Sequence, residues 1–195
     1  GDRRDAHGIT VGSVQDLTVQ NTKIHTFSGD GLHLERSIPS WSDVHIEGCQ
    51  FWLSPLSEDT AGFSAGYVPG DNGIETRTWD DSESAMLTIV DSQFWGFKDG
   101  SDITDQAAIL VRNHVDITVK RLIVSDSNIA FRLRGPTRED AKSPTVHIEN
   151  TLIHDVQTGI QYEDDLAQPT LPHMTMGVGI THPLVDINSA STAPE

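Results

Sequence analysis

The sequence is poor in cysteine and in basic residues, and each shortage excludes a class of protein. Cys49 is the only cysteine among 195 residues, which excludes an intrachain disulfide framework and a multi-cysteine zinc site. There are 13 Lys plus Arg against 29 Asp plus Glu, a formal net charge of −16. This imbalance argues against a nucleic-acid partner and against attachment to anionic membranes. No apolar run approaches the roughly 18 residues of a transmembrane helix, so we expect no membrane span.

What the sequence does contain is an internal repeat. Three apolar residues at relative positions 0, +2 and +7 recur in five copies: Leu17, Val19 and Ile24; Val44, Ile46 and Phe51; Leu87, Ile89 and Phe94; Ile117, Val119 and Val124; Val146, Ile148 and Ile153. The copies start 27, 43, 30 and 29 residues apart, and a degraded sixth copy begins at Met174. Positions 0 and +2 alternate as in a half-buried strand, and position +7 fits a second strand after a bend.

A second pattern, a small residue followed by apolar, any and apolar residues, comes after each copy of the first. It occupies Gly31–Leu34, Gly73–Thr76, Ala108–Val111, Ala130–Leu133 and Gly159–Tyr162. The interval between the two patterns is 13 or 14 residues in three copies but 29 and 21 in copies two and three. Extra loops at one corner of a constant unit are typical of solenoids.

These patterns predict an all-β fold, a right-handed parallel β-helix of about six coils with two or three short strands each. A leucine-rich signature is absent, and most segments lack the spacing of helical repeats. The best helix candidate, residues 105–115, contains Ala108–Val111, which aligns with strands in the other copies. We expect residues 1–187 to form the β-helix domain, a segment of a longer protein, and residues 188–195 to be a loop or linker.

The repeats resemble the right-handed β-helix proteins of the pectin-lyase-like superfamily. The resemblance is carried by Asp16–His25 with Gly31–Leu34 and by Thr145–His154 with Gly159–Tyr162. The segments Asp71–Arg77, Ile129–Pro136 and Tyr162–Asp165 resemble a bacterial secreted β-helix group. The resemblance implies an extracellular protein, secreted or at the cell surface. It also implies that polysaccharide lyases, hydrolases, tailspikes and non-catalytic adhesins are the relevant functional classes, but fold alone does not select among them.

Strand alternation places many charges of the second pattern on one face. One residue of each second pattern is expected to point inward: Leu32, Ile74, Ile109, Phe131 and Ile160. The residues one and three positions after each of these would then point outward and form two columns. We call these columns the charged strip: His33, Glu75, Leu110, Arg132 and Gln161 in the first, and Glu35, Arg77, Arg112, Arg134 and Glu163 in the second. Four of the 13 basic residues would lie within a strip of roughly 20 Å, against the overall charge.

The charged strip has two interpretations. In the first it is a groove for an acidic polysaccharide, because Arg binds carboxylates bidentately. His33, Arg77 and Arg112 would then bind substrate, and Arg132 or Arg134 would remove a proton in a β-elimination. Ca²⁺ would be held by Glu35, Glu75, Glu163 and Asp164. In the second interpretation Glu–Arg pairs relieve repulsion between stacked like charges and have no ligand.

Catalytic roles in this scheme come from general chemistry. The catalytic signatures of pectate lyases are absent, and Asp99, Asp102 and Asp105 do not reproduce the aspartate pattern of the hydrolases of the superfamily. A glycoside hydrolase is therefore a weaker candidate than a polysaccharide lyase.

Trp52 and Trp95 occupy the same place in neighbouring copies, each after a Gln-Phe pair. They are expected either to bind sugar or to lie under the Leu53–Asn72 insert. Cys49 falls at a small-residue bend and is expected to be a buried thiol. The two functional hypotheses are thus an extracellular carbohydrate-active module and a non-catalytic structural or adhesion solenoid.

Overall fold

The structure, a computed structural model, describes residues 5–60, 62–78, 85–98, 106–135, 143–163 and 173–176. Within these ranges the chain contains strands, turns and loops but no helix, as the all-β prediction requires. The strands are β1 (Ile9–Val11), β2 (Thr18–Gln20), β3 (Lys23–His25), β4 (Leu32–Leu34), β5 (Val44–Glu47), β6 (Gln50–Trp52), β7 (Ile74–Thr76), β8 (Ala85–Val90), β9 (Gln93–Trp95), β10 (Ala107–Arg112), β11 (Val115–Lys120), β12 (Ile123–Arg134), β13 (Thr145–Glu149), β14 (Leu152–Glu163) and β15 (His173–Met176). None of the described segments is a helix that could cross a bilayer.

The strands form two curled sheets in which all the named pairs are parallel. The six-stranded sheet has the order β15-β13-β11-β8-β5-β2, and the nine-stranded sheet follows β1-β4-β7-β10-β12-β9-β6-β3 with β14 beside β12. Each strand therefore pairs with its equivalent in the neighbouring repeat, as a solenoid requires. The helix candidate is the strand β10, as its alignment with the other copies predicted.

Register between the strands matches the sequence repeat residue by residue. Val44 pairs with Leu87, Leu87 with Ile117, and Ile117 with Val146, so position 0 of the first pattern forms one column. The side chains of all four residues are buried. At position +7, the rings of Phe51 and Phe94 stack with centroids 4.8 Å apart and planes at 2°. The apolar columns thus form the interior of the fold.

One sharp bend links the two sheets in each repeat, and its first residue has a positive φ. These residues are Asn21, Gly48, Asp91, Arg121 and Asn150, with φ between 48° and 62°. Asn, Asp and Gly tolerate this left-handed conformation better than other residues, which explains their recurrence. In four of the five bends the next residue is small, and its hydroxyl or thiol donates to the carbonyl two residues earlier; these residues are Thr22, Cys49, Ser92 and Thr151. Leu122 takes this place after Arg121. Cys49 is fully buried there, as predicted.

Glycine in the second pattern lets neighbouring strands come close together. A Cβ on Gly73 would lie 2.5 Å from the carbonyl oxygen of Ala108 and 2.9 Å from Cδ1 of Phe94. A Cβ on Gly31 would lie 2.6 Å from the oxygen of Gly73. These distances are too short for any side chain, so the small residue is a packing requirement of this corner. Residues 188–195 lie outside the described part of the chain.

Candidate functional site

The charged strip follows the register that the repeat predicts. In its first column His33 pairs with Glu75, Glu75 with Leu110, Leu110 with Arg132 and Arg132 with Gln161. In its second column Arg112 pairs with Arg134, and Arg134 pairs with Glu163. Asp99, Asp102, Asp105 and Asp164 lie outside the described residues.

The first column points away from the apolar core but is covered. His33, Glu75, Leu110 and Arg132 are exposed by 6%, 2%, 1% and 9%. Trp41, which is fully buried, donates from Nε1 to the carbonyl oxygen of Arg77 at 2.9 Å and so fixes the backbone at this point of the second column. This part of the strip is therefore a buried layer of charge rather than an open surface.

The second column is more accessible. The side chains of Arg77, Arg112 and Arg134 are exposed by 42%, 28% and 27%, and that of Glu163 by 26%. Glu35, at the same position in the first full repeat, is exposed. A ligand that approaches the strip would therefore meet this column first.

Glu75 is the centre of one half of the strip. Arg77 donates from Nε and Nη2 to its two carboxylate oxygens at 3.1 and 3.2 Å. Nε of Arg112 lies 2.9 Å from Oε1 but is badly aligned for a hydrogen bond, and this buried nitrogen has no hydrogen-bond partner among the described residues. Burial alone would raise the pKa of Glu75, but the hydrogen bond from His33 and the charges of Arg112 and Arg77 lower it to about 2. Glu75 is therefore an anion at neutral pH.

Glu163 is the centre of the other half. Arg132 donates from Nε and Nη2 to its two oxygens, both at 2.9 Å. Nε of Arg134 lies 3.5 Å from Oε2, and the side-chain amide of Gln161 donates to Oε1 at 2.8 Å. Each buried or half-buried carboxylate of the strip is thus bracketed by two guanidinium groups, which holds the arginines in defined positions.

Several arginines lie close to Arg112. Within the described part of the chain, the strip and its neighbour Asp30 contain four arginines and His33 alongside four carboxylates, in a chain with a formal charge of −16. Burial lowers the pKa of Arg112, Glu75 opposes that effect, and the positive charges of Arg134, Arg77 and Arg132 lower the pKa further. The geometry therefore favours an anion beside Arg112.

His33 belongs to a buried network that sequence reasoning missed. Its Nδ1 lies 2.7 Å from Oδ2 of Asp30 and 3.2 Å from Oε2 of Glu75. Oδ1 of Asp30 accepts hydrogen bonds from the backbone and side-chain nitrogens of Asn72 at 3.2 and 2.9 Å. Burial would lower the pKa of His33, but the hydrogen bonds and charges of Asp30 and Glu75 raise it to about 9, so His33 is a cation at neutral pH. The available signal was that Asp30 and Asn72 both directly precede the small residue of the second pattern.

His7 completes this network. Its ring stacks on that of His33 with centroids 4.2 Å apart and planes at 24°. Its Nδ1 accepts the backbone N–H of Asp30 at 2.9 Å, so the nitrogen that faces the carboxylate is already used. His7 directly precedes Gly8, which has the place in β1 that Gly31 has in β4, so the sequence signal is the same as for Asp30.

Among the described residues, His7, Asp30 and His33 form the group with the best spacing for metal ligands, with ligand atoms within 4.8 Å of one another. Two stacked, nearly parallel imidazoles direct their lone pairs side by side rather than toward one point. A histidine must release its proton to bind a metal, and despite burial the pKa of His33 is raised by Asp30 and Glu75, so a metal would compete with this proton. As arranged, this group is a proton-sharing network. The calcium role predicted for Glu35, Glu75, Glu163 and Asp164 stays a prediction, and two of these carboxylates are bound by arginine.

A ladder of planar side chains lies on the outer face of another part of the nine-stranded sheet. His25, Trp52 and Trp95 are paired in register on β3, β6 and β9. The ring centroids are 4.2 Å apart between His25 and Trp52 and 4.9 Å between Trp52 and Trp95. Both tryptophans are half-buried. Trp52 is covered on both ring faces by its neighbours, whereas Trp95 has a ring neighbour on one face only among the described residues.

No protein-family model, curated protein or solved structure matches this chain. The evidence for its function is therefore the strand arrangement, the charged strip and the aromatic ladder.

Proposed function

We propose that the chain is a right-handed parallel β-helix of about six coils that binds an acidic polysaccharide outside the cell. The β-helix is supported by the six-stranded sheet, in which every strand pairs in parallel with the equivalent strand of the next repeat. Parallel strands of one sheet are joined by right-handed crossovers in about 98% of cases, which supports the handedness. The extracellular location is supported by the resemblance of the repeats to secreted β-helix proteins.

The observation that carries the binding proposal is the arginine-rich second column in a chain of strongly negative charge. Arg112 and Arg77 are partly exposed, are held in place by Glu75, and lie close to the positive charges of Arg132 and Arg134. A carboxylate of a uronic-acid polymer offers the negative charge and the bidentate geometry that Arg prefers. Because the guanidinium groups are already positioned, little side-chain entropy is lost on binding.

Binding is better supported than β-elimination. An arginine must lose its own proton before it can act as a base, and Arg132 is 9% exposed and engaged bidentately by the carboxylate of Glu163, which favours its charged form. Arg134 is more exposed, and its Nε lies 3.5 Å from the same carboxylate, a longer contact than the 2.9 Å of Arg132. It is therefore the better placed of the two predicted catalytic arginines. Lyase activity, with Ca²⁺ as its cofactor, is therefore a secondary part of the proposal.

The test is titration of the protein with polygalacturonate, alginate and a neutral polymer of similar length. We expect micromolar to millimolar binding of a uronate polymer that weakens with salt. Arg112→Gln should weaken it at least tenfold, since a charge-assisted hydrogen bond contributes about 1.5–3 kcal/mol. Arg121→Gln is the matched control, because Arg121 is an exposed arginine at a bend between the two sheets, outside the charged strip. Absence of binding to both uronate polymers would refute the proposal.

Lyase activity is tested on the same polymers by the absorbance of the unsaturated product. The assay is run with added Ca²⁺ and with a chelator. A signal that Arg134→Gln abolishes would support β-elimination, and a signal unchanged by that variant would exclude Arg134 as the base.

The second candidate is a non-catalytic structural or adhesion solenoid, favoured by the pairing of Glu75 and Glu163 with two arginines each. In that case Arg112→Gln lowers stability, and the wild-type protein binds neither uronate polymer. The two candidates thus make opposite predictions for the same titration.

A further inference from the structure

The aromatic ladder is interrupted one strand beyond Trp95. The column continues from Trp95 on β9 to Ser125 on β12 and then to His154 on β14. Ser125 is half-buried and His154 is exposed. A small side chain therefore occupies the place where the preceding strands carry rings.

The size of this gap corresponds to one ring. Adjacent strands lie about 4.8 Å apart, so Trp95 and His154 are separated by roughly 9.6 Å across Ser125. Stacked rings in the same column have centroids 4.2 and 4.9 Å apart. One flat ring inserted over Ser125 would thus contact the face of Trp95 that has no ring neighbour among the described residues, and would lie at stacking distance from His154 on the other side.

The groups around the gap are polar on one side. Lys98 and Asp126 form an ion pair, and their side chains are about half exposed at 54% and 52%. Asp155 accepts a hydrogen bond from Nδ1 of His154 at 2.9 Å if that nitrogen carries the proton, and the side chain of Asp155 is 81% exposed. These groups, with the hydroxyl of Ser125, can exchange hydrogen bonds with hydroxyl groups on the rim of a ring.

The other side of the gap is apolar. Ile123 lies two residues before Ser125 on β12, and Leu152 lies two residues before His154 on β14. The two are paired in register and are exposed by 38% and 43%. A ligand here would therefore meet an apolar border as well as a polar one.

We infer that the gap over Ser125 between Trp95 and His154 is a binding site for one pyranose ring of a polysaccharide. A pyranose has an apolar face of C–H groups, which suits an aromatic face, and a rim of hydroxyl groups, which suits Ser125, Lys98 and Asp126. A wholly apolar ring would desolvate those polar groups without replacing their hydrogen bonds, which costs free energy. The site requires no charge on the sugar. It takes its ligand class from the proposed function but is separate from the charged strip.

The experiment is to fill the gap. Ser125→Trp should complete the ladder by stacking on Trp95 and thereby exclude the sugar, while Trp95→Ala should remove one wall. Thr118→Trp is the control, because it introduces the same side chain on the outer face of the six-stranded sheet, where Thr118 is half-buried on β11. Circular dichroism and thermal unfolding establish that each variant is folded.

Binding is measured with cellohexaose, mannohexaose and maltohexaose, which are neutral, by calorimetry and by the change in tryptophan fluorescence. We expect at least one hexaose to bind the wild type and Thr118→Trp, and Ser125→Trp and Trp95→Ala to weaken that binding at least tenfold. No binding by any hexaose, or equal binding by Ser125→Trp and the wild type, would overturn the assignment. Binding of uronate polymers through Arg112 is independent of this result, so failure of the ring site and failure of the proposed function are distinguishable.

Discussion

Arg132 and Glu163 form a bidentate ion pair between adjacent strands, with both nitrogen–oxygen distances at 2.9 Å. The side chain of Arg132 is 11% exposed and that of Glu163 is 26% exposed. Arg121 and Asp91 make the same kind of bidentate pair at 2.7 and 2.8 Å, but both side chains are about half exposed. The chain therefore contains two ion pairs of similar geometry that differ mainly in burial.

Replacement of Arg132 by Ala should be clearly destabilising. The substitution leaves Glu163 partly buried with fewer partners. Loss of one member of a fully buried ion pair costs about 3–5 kcal/mol of folding free energy. Because Glu163 is partly exposed, we expect a loss of about 2 kcal/mol here. Arg121→Ala, the matched control, should have a small effect because water solvates Asp91. Urea unfolding measures the free energy of unfolding of both variants. Equal losses of this free energy would contradict the role assigned to burial.

Stability should fall as the pH rises from about 6.5 to about 9. The pKa of His33 is raised from 6.5 to about 9 in the folded protein, so protonation of His33 stabilises the fold below pH 6.5, and this contribution disappears by pH 9. The shift corresponds to at most roughly 3 kcal/mol. His33→Gln should flatten this part of the profile. The measurements are chemical unfolding at several pH values and a nuclear magnetic resonance titration in which the His33 signal is assigned with His33→Gln. Titration of His33 itself near pH 6.5 would refute the prediction.

Stability should also fall at low pH, because Glu75 of the same network becomes protonated there. The pKa of Glu75 is lowered to about 2, so its contribution is present above pH 4.5 and is lost as the pH falls toward 2. Glu75→Gln should therefore be less sensitive to acid between these values than the wild type, although less stable at pH 7. An unchanged acid midpoint in the variant would show that other carboxylates control acid unfolding.

Thr26 should be replaceable by Asn with a gain in stability. Its φ is 59°, a left-handed conformation that is unfavourable for a β-branched residue. The equivalent bends also have positive φ, but they carry Gly96, Asp126 and Asp155, which are residue types that tolerate it. We expect a gain of about 0.5–1 kcal/mol in the free energy of unfolding. Thr26→Val, which keeps the branch but loses the hydrogen bond to Nδ1 of His25, should lower stability. The two variants should thus change the melting temperature in opposite directions.

Two glycines at equivalent positions should differ in their tolerance of Ala. A Cβ on Gly73 would collide with the backbone of Ala108 and with Phe94, so Gly73→Ala should cost about 1–3 kcal/mol through overpacking. Among the residues that the structure describes, no atom lies within 4 Å of a Cβ placed on Gly159, and its φ is not positive, so Gly159→Ala should be neutral or slightly stabilising. Thermal unfolding of both variants checks this, and a neutral Gly73→Ala would mean that the corner can relax.

The strand pattern could be predicted from the sequence because the repeat encodes register directly. Val44, Leu87, Ile117 and Val146 stand at the same place in their copies, and they are neighbours in the sheet for that reason. The position of the bends could be predicted for the same reason, since Asn or Asp recurs at one place in the copies. These residues, Asn21, Asp91 and Asn150, have positive φ in the structure. The Arg121 bend carries a side chain not favoured there, so composition alone did not reveal it.

The candidate site was only partly predictable. Alternation shows which way a side chain points but not what covers it, so the burial of Glu75 and Arg132 could not be inferred. Which carboxylate each arginine binds depends on side-chain rotamers and on neighbouring strands, and these are absent from the repeat. His7 has the same repeat position as Asp30, but the stacking of its ring on His33 depends on side-chain rotamers, which the repeat does not encode.

The register between repeats also determines which changes in chain length the protein can accommodate. Val90 and Lys120 are paired across neighbouring strands and occupy the same column. Removal of residues 91–120, a stretch of 30 residues that includes Lys120, would bring Arg121 directly after Val90 and would leave every remaining column intact. Loss of a single residue within a strand would instead exchange inner and outer faces. Duplication or excision of a whole repeat is therefore the mildest length mutation open to a gene that encodes this chain.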